Sequence, residues 1–144
     1  MTTIDRRDFL KATSALAAAF GLRLVGPQEA FAKEGGPSVI WLQAQGCTGC
    51  SVSLLNSLTS GTVESLLVNT LDLNFHPTVM AAAGPNAIAA ANAAKVAGNY
   101  ILVVEGAIPT AAGGRYCHLW PGVTAQQGVL DFASKAKYIV ACGT

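Results

Sequence analysis

Charge is what this sequence has least of: only 12% of its 144 residues are Asp, Glu, Lys or Arg. Lys and Arg total 9 against 8 for Asp and Glu, with no cluster of either sign on a periodic face. That balance excludes the basic footprint of a nucleic-acid-binding protein. Long apolar runs are lacking too, since the stretch from Ala12 to Val25 is broken by Gly21 and Arg23. It falls short of the roughly 20 residues a membrane span needs. Histidine occurs only as His76 and His118, and cysteine only as Cys47, Cys50, Cys117 and Cys142. A structural zinc site wants two ligand pairs, and neither Cys117-His118 nor Cys142 supplies the second. What is abundant is apolar residues, 51% of the chain, which fits one globular domain with a modest core.

The first 32 residues stand apart from that domain. Arg6-Arg7-Asp8-Phe9-Leu10-Lys11 precedes the short apolar stretch, and Ala30-Phe31-Ala32 offers a small-x-small cleavage site. This layout resembles the twin-arginine export signal of bacteria, so residues 1–32 are expected to be a removable signal peptide leading to the periplasm. That route carries proteins already folded, which points to a metal or cluster inserted beforehand. Past residue 32, Lys33, Lys95, Arg115, Lys135 and Lys137 face Glu34, Glu64, Asp72, Glu105 and Asp131, so the remainder is formally neutral. So little charge leaves little solvated surface, and a partner is expected to cover part of it.

The remainder, 33–144, alternates strand and helix. Ser38 to Leu42 is a continuous apolar run suited to a buried strand, and Gln43 to Cys50 follows as a loop. Val52, Leu54, Leu55 and Leu58 have helical spacing over Ser51 to Ser60, closed by Gly61, and Val63 to Val68 forms a second short helix. Thr70 to His76 alternates apolar and polar residues, the period of a strand at a sheet edge. Gly84-Pro85 opens an alanine-rich helix over Asn86 to Ala97, and Tyr100 to Val104 is another buried strand. Gly106 to Gly122 is a long Gly, Pro and Ala-rich connection, hence a candidate functional loop. Thr124 to Ala136 reads as a helix and Tyr138 to Ala141 as a last buried strand. No hairpin signal is apparent. The alternation predicts an α/β fold, a flavodoxin-like doubly wound parallel sheet of strand order 2-1-3-4. Its winding reverses between the first and third strands, and ligands bind there at the carboxyl ends. Cys47 and Cys50, Glu105-Gly106 and Gly143-Thr144 all follow those ends.

Three chemistries compete for Cys47-Thr48-Gly49-Cys50. An even cysteine count in an exported protein first suggests disulfides, yet structural disulfides more often close longer loops. A thioredoxin-like dithiol would place Cys50 at a helix start, where the dipole favours a thiolate, but it needs a mixed sheet with a later antiparallel hairpin. An iron-sulfur cluster takes two thiolates from a local Cys-x-x-Cys and two from distant loops. The sequence supplies the local pair without a convincing second pair.

Val39-Ile40-Trp41-Leu42-Gln43 leading into Gly46-Cys47-Thr48-Gly49-Cys50-Ser51-Val52-Ser53-Leu54-Leu55-Asn56 carries a more specific signal, repeated by Phe75-His76-Pro77-Thr78-Val79-Met80 and Val104-Glu105-Gly106-Ala107-Ile108-Pro109-Thr110. In this order the three motifs resemble the small subunit of nickel-iron hydrogenases, closest to the nickel-iron-selenium branch. The resemblance implies a periplasmic electron-transfer subunit, an oxidoreductase component working in a heterodimer. Its partner would be a large subunit carrying the nickel-iron site, with an electron acceptor such as a cytochrome and membrane association only through the complex. It also implies that Cys47 and Cys50 are two ligands of a proximal 4Fe-4S cluster and that Glu105 belongs to the cluster surroundings or to proton movement nearby.

By the same resemblance, the third ligand would fall one position beyond Gly143-Thr144. The fourth ligand and the cysteine-rich C-terminal region of the medial and distal clusters would also be absent, so the chain is expected to be an N-terminal part. Cys142 then reads as a buried thiol inside the last strand, Cys117 as a loop-packing residue, and His76 and His118 as ordinary histidines. An exported thiol-disulfide protein using Cys47 and Cys50 is the alternative, and a noncatalytic fragment that docks to the large subunit a third possibility.

Overall fold

The computed structural model describes residues 36–56 and 61–143. The expected leader 1–32, its cleavage site and the end of the first expected helix lie outside the described residues. Four strands form the main sheet: β1 (Ser38–Gln43), β2 (Asp72–Phe75), β3 (Ile101–Glu105) and, after the two short strands introduced below, β6 (Tyr138–Cys142). All three pairings are parallel and the order is β2-β1-β3-β6, which is the expected 2-1-3-4.

β1 is central because it can be buried on both faces. Val39, Ile40, Trp41 and Leu42 are each at most 7% exposed, as a continuous apolar run requires. The side chains alternate between two cores. Ile40 and Leu42 join Leu102, Val104, Tyr100, Ala87, Ala91, Ala94, Val129 and Phe132 beneath helices α2 (Gly84–Ala97) and α3 (Ala125–Ala133). Val39, Trp41 and Val103 face the other way, toward Leu54 of helix α1 (Gly49–Asn56), Leu71 and Leu73. One helix on one face and two on the other is what right-handed crossovers from an order that reverses at β1/β3 produce.

Local chemistry sets the helix ends. Pro85 stands in the first turn of α2, and Gly98 takes φ +70° as its C-cap. Thr124 caps α3 reciprocally with Gln127, each side chain serving the other's backbone amide. Ala87, Ala91 and Ala94 lie at helical spacing, and their small side chains let α2 sit close over β1 and β2. Lys95 of α2 reaches Asp131 of α3 at 2.6 Å, and Tyr100 donates to the Phe132 carbonyl at 2.5 Å, tying α3 to the root of β3.

Three sequence expectations need correction. The short helix expected over Val63 to Val68 continues into a π-helical turn, Ser65–Thr70, which takes Thr70, the first residue of the expected second strand. The 106–122 connection is not a simple loop: it holds a 3₁₀ turn (Ala111–Gly114), and β4 (His118–Trp120) pairs antiparallel with β5 (Val123–Thr124). The signal for that hairpin was Pro121-Gly122, with Gly122 at φ +81°. Because the hairpin stands outside the main sheet, it does not create the mixed sheet of a thioredoxin. Finally, β6 is not a buried strand. Tyr138, Ile139 and Val140 are 60%, 56% and 47% exposed at the sheet's open edge. Among the described residues no helix is long and apolar enough to cross a membrane.

Candidate functional site

Parallel register brings the site together. Gln43 of β1 lies opposite Glu105 of β3, and Glu105 opposite Cys142 of β6, so three polar or thiol side chains stand abreast at the carboxyl ends. Beyond them the chain leaving β1 stays attached to the chain leaving β3. Ala44 donates to the Glu105 carbonyl at 2.8 Å, and Gln45 and Ala107 exchange bonds of 3.0 and 2.9 Å. Gly106 permits this close approach: at φ +87°, a Cβ there would stand 2.5 Å from the Gln45 carbonyl oxygen. The Cys47–Cys50 loop is thus launched from a fixed base.

The loop itself is tightly turned. Thr48 adopts φ +67°, an uncommon conformation for a residue with a side chain. Gln43 donates through Nε2 to the Thr48 hydroxyl at 2.7 Å, and the Thr48 carbonyl accepts from Val52 at 3.1 Å. Strain held by surrounding bonds is characteristic of functional loops. Cys47 is exposed, whereas Cys50, within the first turn of α1, is half-buried against the Trp41 core.

Glu105 is the centre of the arrangement. It is 1% exposed and accepts from four donors: Trp41 Nε1 at 2.8 Å, Ser51 Oγ at 2.5 Å, the Cys50 amide at 3.0 Å and the Ser51 amide at 3.3 Å. Burial raises the carboxyl pKa, but the bonds from Ser51, Trp41 and the two amides outweigh it, leaving the pKa below its usual range. The buried group is therefore a carboxylate. It also caps α1, a helix with no acidic residue in its own first turn, by placing a negative charge from another strand at the positive helix end. Cys50 is consequently held through its own amide.

The structure sorts the remaining sequence-read residues. His76, expected to be ordinary, is 3% exposed, its ring 5.2 Å from that of Trp41, and its Nδ1 accepts from the Thr78 amide at 3.2 Å. Burial lowers its pKa, with the Glu105 charge acting in the opposite direction. Cys142 is a half-buried thiol at the end of β6, as expected; its Sγ donates to the Val104 carbonyl at 3.7 Å, and it packs on the same small core as Cys50. Cys117 directly precedes β4, and all four cysteines are free thiols. Sequence reasoning missed Ser51 and the Trp41 indole as partners of Glu105. A small polar residue in the first helical turn after Cys50 was the available signal.

Against an iron-sulfur cluster the donor set fits in part. Cys47 and Cys50 offer two thiols on one fixed loop at the sheet's switch point, and cluster sites take four sulfur ligands. Among the described residues no group of three or more His, Cys, Asp or Glu is placed to hold a metal ion.

Comparison with known proteins follows the same lines. Residues 47–144 match the family of the NADH ubiquinone oxidoreductase 20 kDa subunit, and residues 3–22 match the twin-arginine translocation signal sequence. The small subunit of the periplasmic NiFeSe hydrogenase of Desulfomicrobium baculatum is 41% identical, over 99% of this chain and 50% of that one. The hydrogenase-2 small chain of Escherichia coli K12 is 39% identical, over 92% of this chain and 36% of that one. The crystal structure of a reduced, active form of the NiFeSe hydrogenase from Desulfomicrobium baculatum superposes with a TM-score of 0.69 at 44% identity, covering 74% of this chain and 41% of that one. The chain spans about half the length of the relatives it matches. It belongs to the NADH ubiquinone oxidoreductase 20 kDa subunit family and, within it, resembles the nickel-iron hydrogenase small subunits along nearly its whole length.

Proposed function

We propose that the chain is the cluster-proximal part of an electron-transfer subunit in a periplasmic nickel-iron or nickel-iron-selenium hydrogenase, exported folded by the twin-arginine route. Cys47 and Cys50 are two of the four ligands of a proximal 4Fe-4S cluster, which when bound supplies one-electron transfer next to a large subunit carrying the nickel-iron site. A cytochrome-type acceptor is the expected destination of the electrons. The observation that carries this reading is the Cys47–Cys50 loop at the β1/β3 switch point, with the amides of Cys50 and Ser51 fixed on a buried carboxylate.

The chain's own residues act by positioning. Glu105 and Trp41 fix the start of α1, which fixes Cys50, while Gln43 and Thr48 fix the turn that carries Cys47. Glu105 also places a buried negative charge beside the site, which favours a more positive, oxidised state of any group held there.

Reconstitution of the chain with iron and sulfide tests the reading. Two thiolates hold a cluster poorly, so a weak, labile visible and paramagnetic resonance signal is expected, lost in Cys47→Ser and in Cys50→Ser. A signal that survives both substitutions would place the cluster elsewhere, and a stable stoichiometric cluster would overturn the half-site.

A further inference from the structure

The thiol beside Cys50 is not used by the cluster reading. Cys142 enters from β6, directly across from Glu105 in register, while Cys50 enters from α1 and hangs on the same Glu105 by its amide. Both side chains pack on the small core of Val39, Trp41 and Val103. Cys50 reaches the end of β6: a Cβ built on Gly143, the residue after Cys142, would stand 2.9 Å from Cys50 Sγ, while the Cys142 thiol donates to the Val104 carbonyl at 3.7 Å. Gly143 at φ +76° and the bond from the Gly106 amide to the Cys142 carbonyl, 2.9 Å, hold the end of β6 against the loop. Cys47 is disposed differently, its Sγ 3.0 Å from a Cβ built on Gly49 and its side chain exposed.

We propose that Cys50 and Cys142 are a disulfide-forming pair, a modification site that joins α1 to the edge strand β6 when the chain meets a small-molecule disulfide oxidant. The Cys50 thiolate attacks one sulfur of oxidised glutathione, giving a mixed disulfide and releasing one glutathione thiolate. The Cys142 thiolate then attacks the Cys50 sulfur, closing the protein disulfide and expelling the second glutathione. Two thiol protons and two electrons leave the protein, and one oxidised glutathione becomes two reduced molecules. A consequence that rests on the cluster reading is exclusion: Cys50 cannot ligate iron while bonded to Cys142, so oxidation of cluster-free protein would block the site.

The test uses the full chain without iron, incubated with oxidised glutathione, alkylated and digested with trypsin. The peptide spanning 138–144 is expected to be linked to the peptide spanning 34–95, about tenfold above any other disulfide species. Cys47→Ser should keep the link, whereas Cys50→Ser, Cys142→Ser and Cys142→Ala should each abolish it. A dominant bond inside the 34–95 peptide, or full alkylation of Cys142 under oxidation, would overturn the proposal. Either result would leave the cluster reading standing, because that reading fails only on the iron signal in the Cys47 and Cys50 variants.

Discussion

Replacing Glu105 by Gln removes the charge at nearly constant shape and asks whether the buried carboxylate organises the thiol loop. All four of its partners are donors in the native arrangement, two at each oxygen: the Cys50 and Ser51 amides at Oε1, Trp41 Nε1 and Ser51 Oγ at Oε2. A glutamine has one acceptor oxygen and one amide group, so one pair must confront a donor. The cheaper choice keeps oxygen on the two backbone amides and turns the NH₂ toward Trp41 and Ser51. The Ser51 hydroxyl can rotate to accept, but the Trp41 indole can only donate and is left without a partner. An orphaned buried donor costs about 1–3 kcal/mol, and weakening the charge-assisted bonds at Oε1 adds about 1 kcal/mol. Relief from burying a charge offsets part of this, for a net loss of about 2–3 kcal/mol against a typical stability of about 5–15 kcal/mol. Urea unfolding followed by tryptophan fluorescence measures the loss. Hydrogen exchange at the Cys50 and Ser51 amides and the alkylation rate of Cys50 report the site, and both should rise. A stability change below about 0.5 kcal/mol with unchanged exchange would refute the clamp, since surface substitutions alone do that much.

Two other perturbations probe the frame. Gly106→Ala puts a Cβ 2.5 Å from the Gln45 carbonyl oxygen in a left-handed backbone conformation, so the Gln45–Ala107 pairing must open. A loss of about 2–4 kcal/mol in urea unfolding is expected, and an unchanged midpoint would show that the strands separate freely here. Acid should weaken the fold through His76, whose folded pKa is depressed mainly by burial. Its neutral form is the one that fits, so its contribution is complete above the ordinary value of about 6.5 and declines as pH falls below it toward the folded value. The urea midpoint should therefore drop between pH 7.5 and pH 5.5, and His76→Gln should flatten that drop; equal pH dependence in both proteins would exclude His76 as its source.

Most of the sheet order was legible because β1, β2 and β3 each announce how deeply they are buried. β1 and β3 are uninterrupted apolar runs and take the centre, and β2 alternates and takes an edge. β6 has the same apolar composition as the central strands yet is an exposed edge. Composition reports what a strand can bury, and the number of neighbours reports what it does. The hairpin was missed for a related reason: three and two residues are too few for a period to show, and only Pro121-Gly122 marked the turn. The thiol loop was legible as a motif, because its spacing is local. The placing of Cys50 and Cys142 on one small core was not, because it depends on a register between β3 and β6 that no local pattern fixes.

Glu105 shows how the scarcity of charge and the site are connected. An isolated carboxylate in a core of Val39, Trp41 and Val103 would be expected to take up a proton, since burial penalises its charged form. Among the described residues no lysine or arginine bonds to it; four neutral donors do. Two of those donors are backbone amides left unpaired by the start of α1, so the carboxylate and the helix end satisfy each other. Among the described residues this arrangement gives the loop a fixed negative charge without a bonded cation. It follows that charge added nearby should act more strongly than charge added on the open face, because the low dielectric around Glu105 screens it little. The Cys142 thiol lies near that carboxylate, and burial first, then the neighbouring Cys50 and Glu105, raises its pKa.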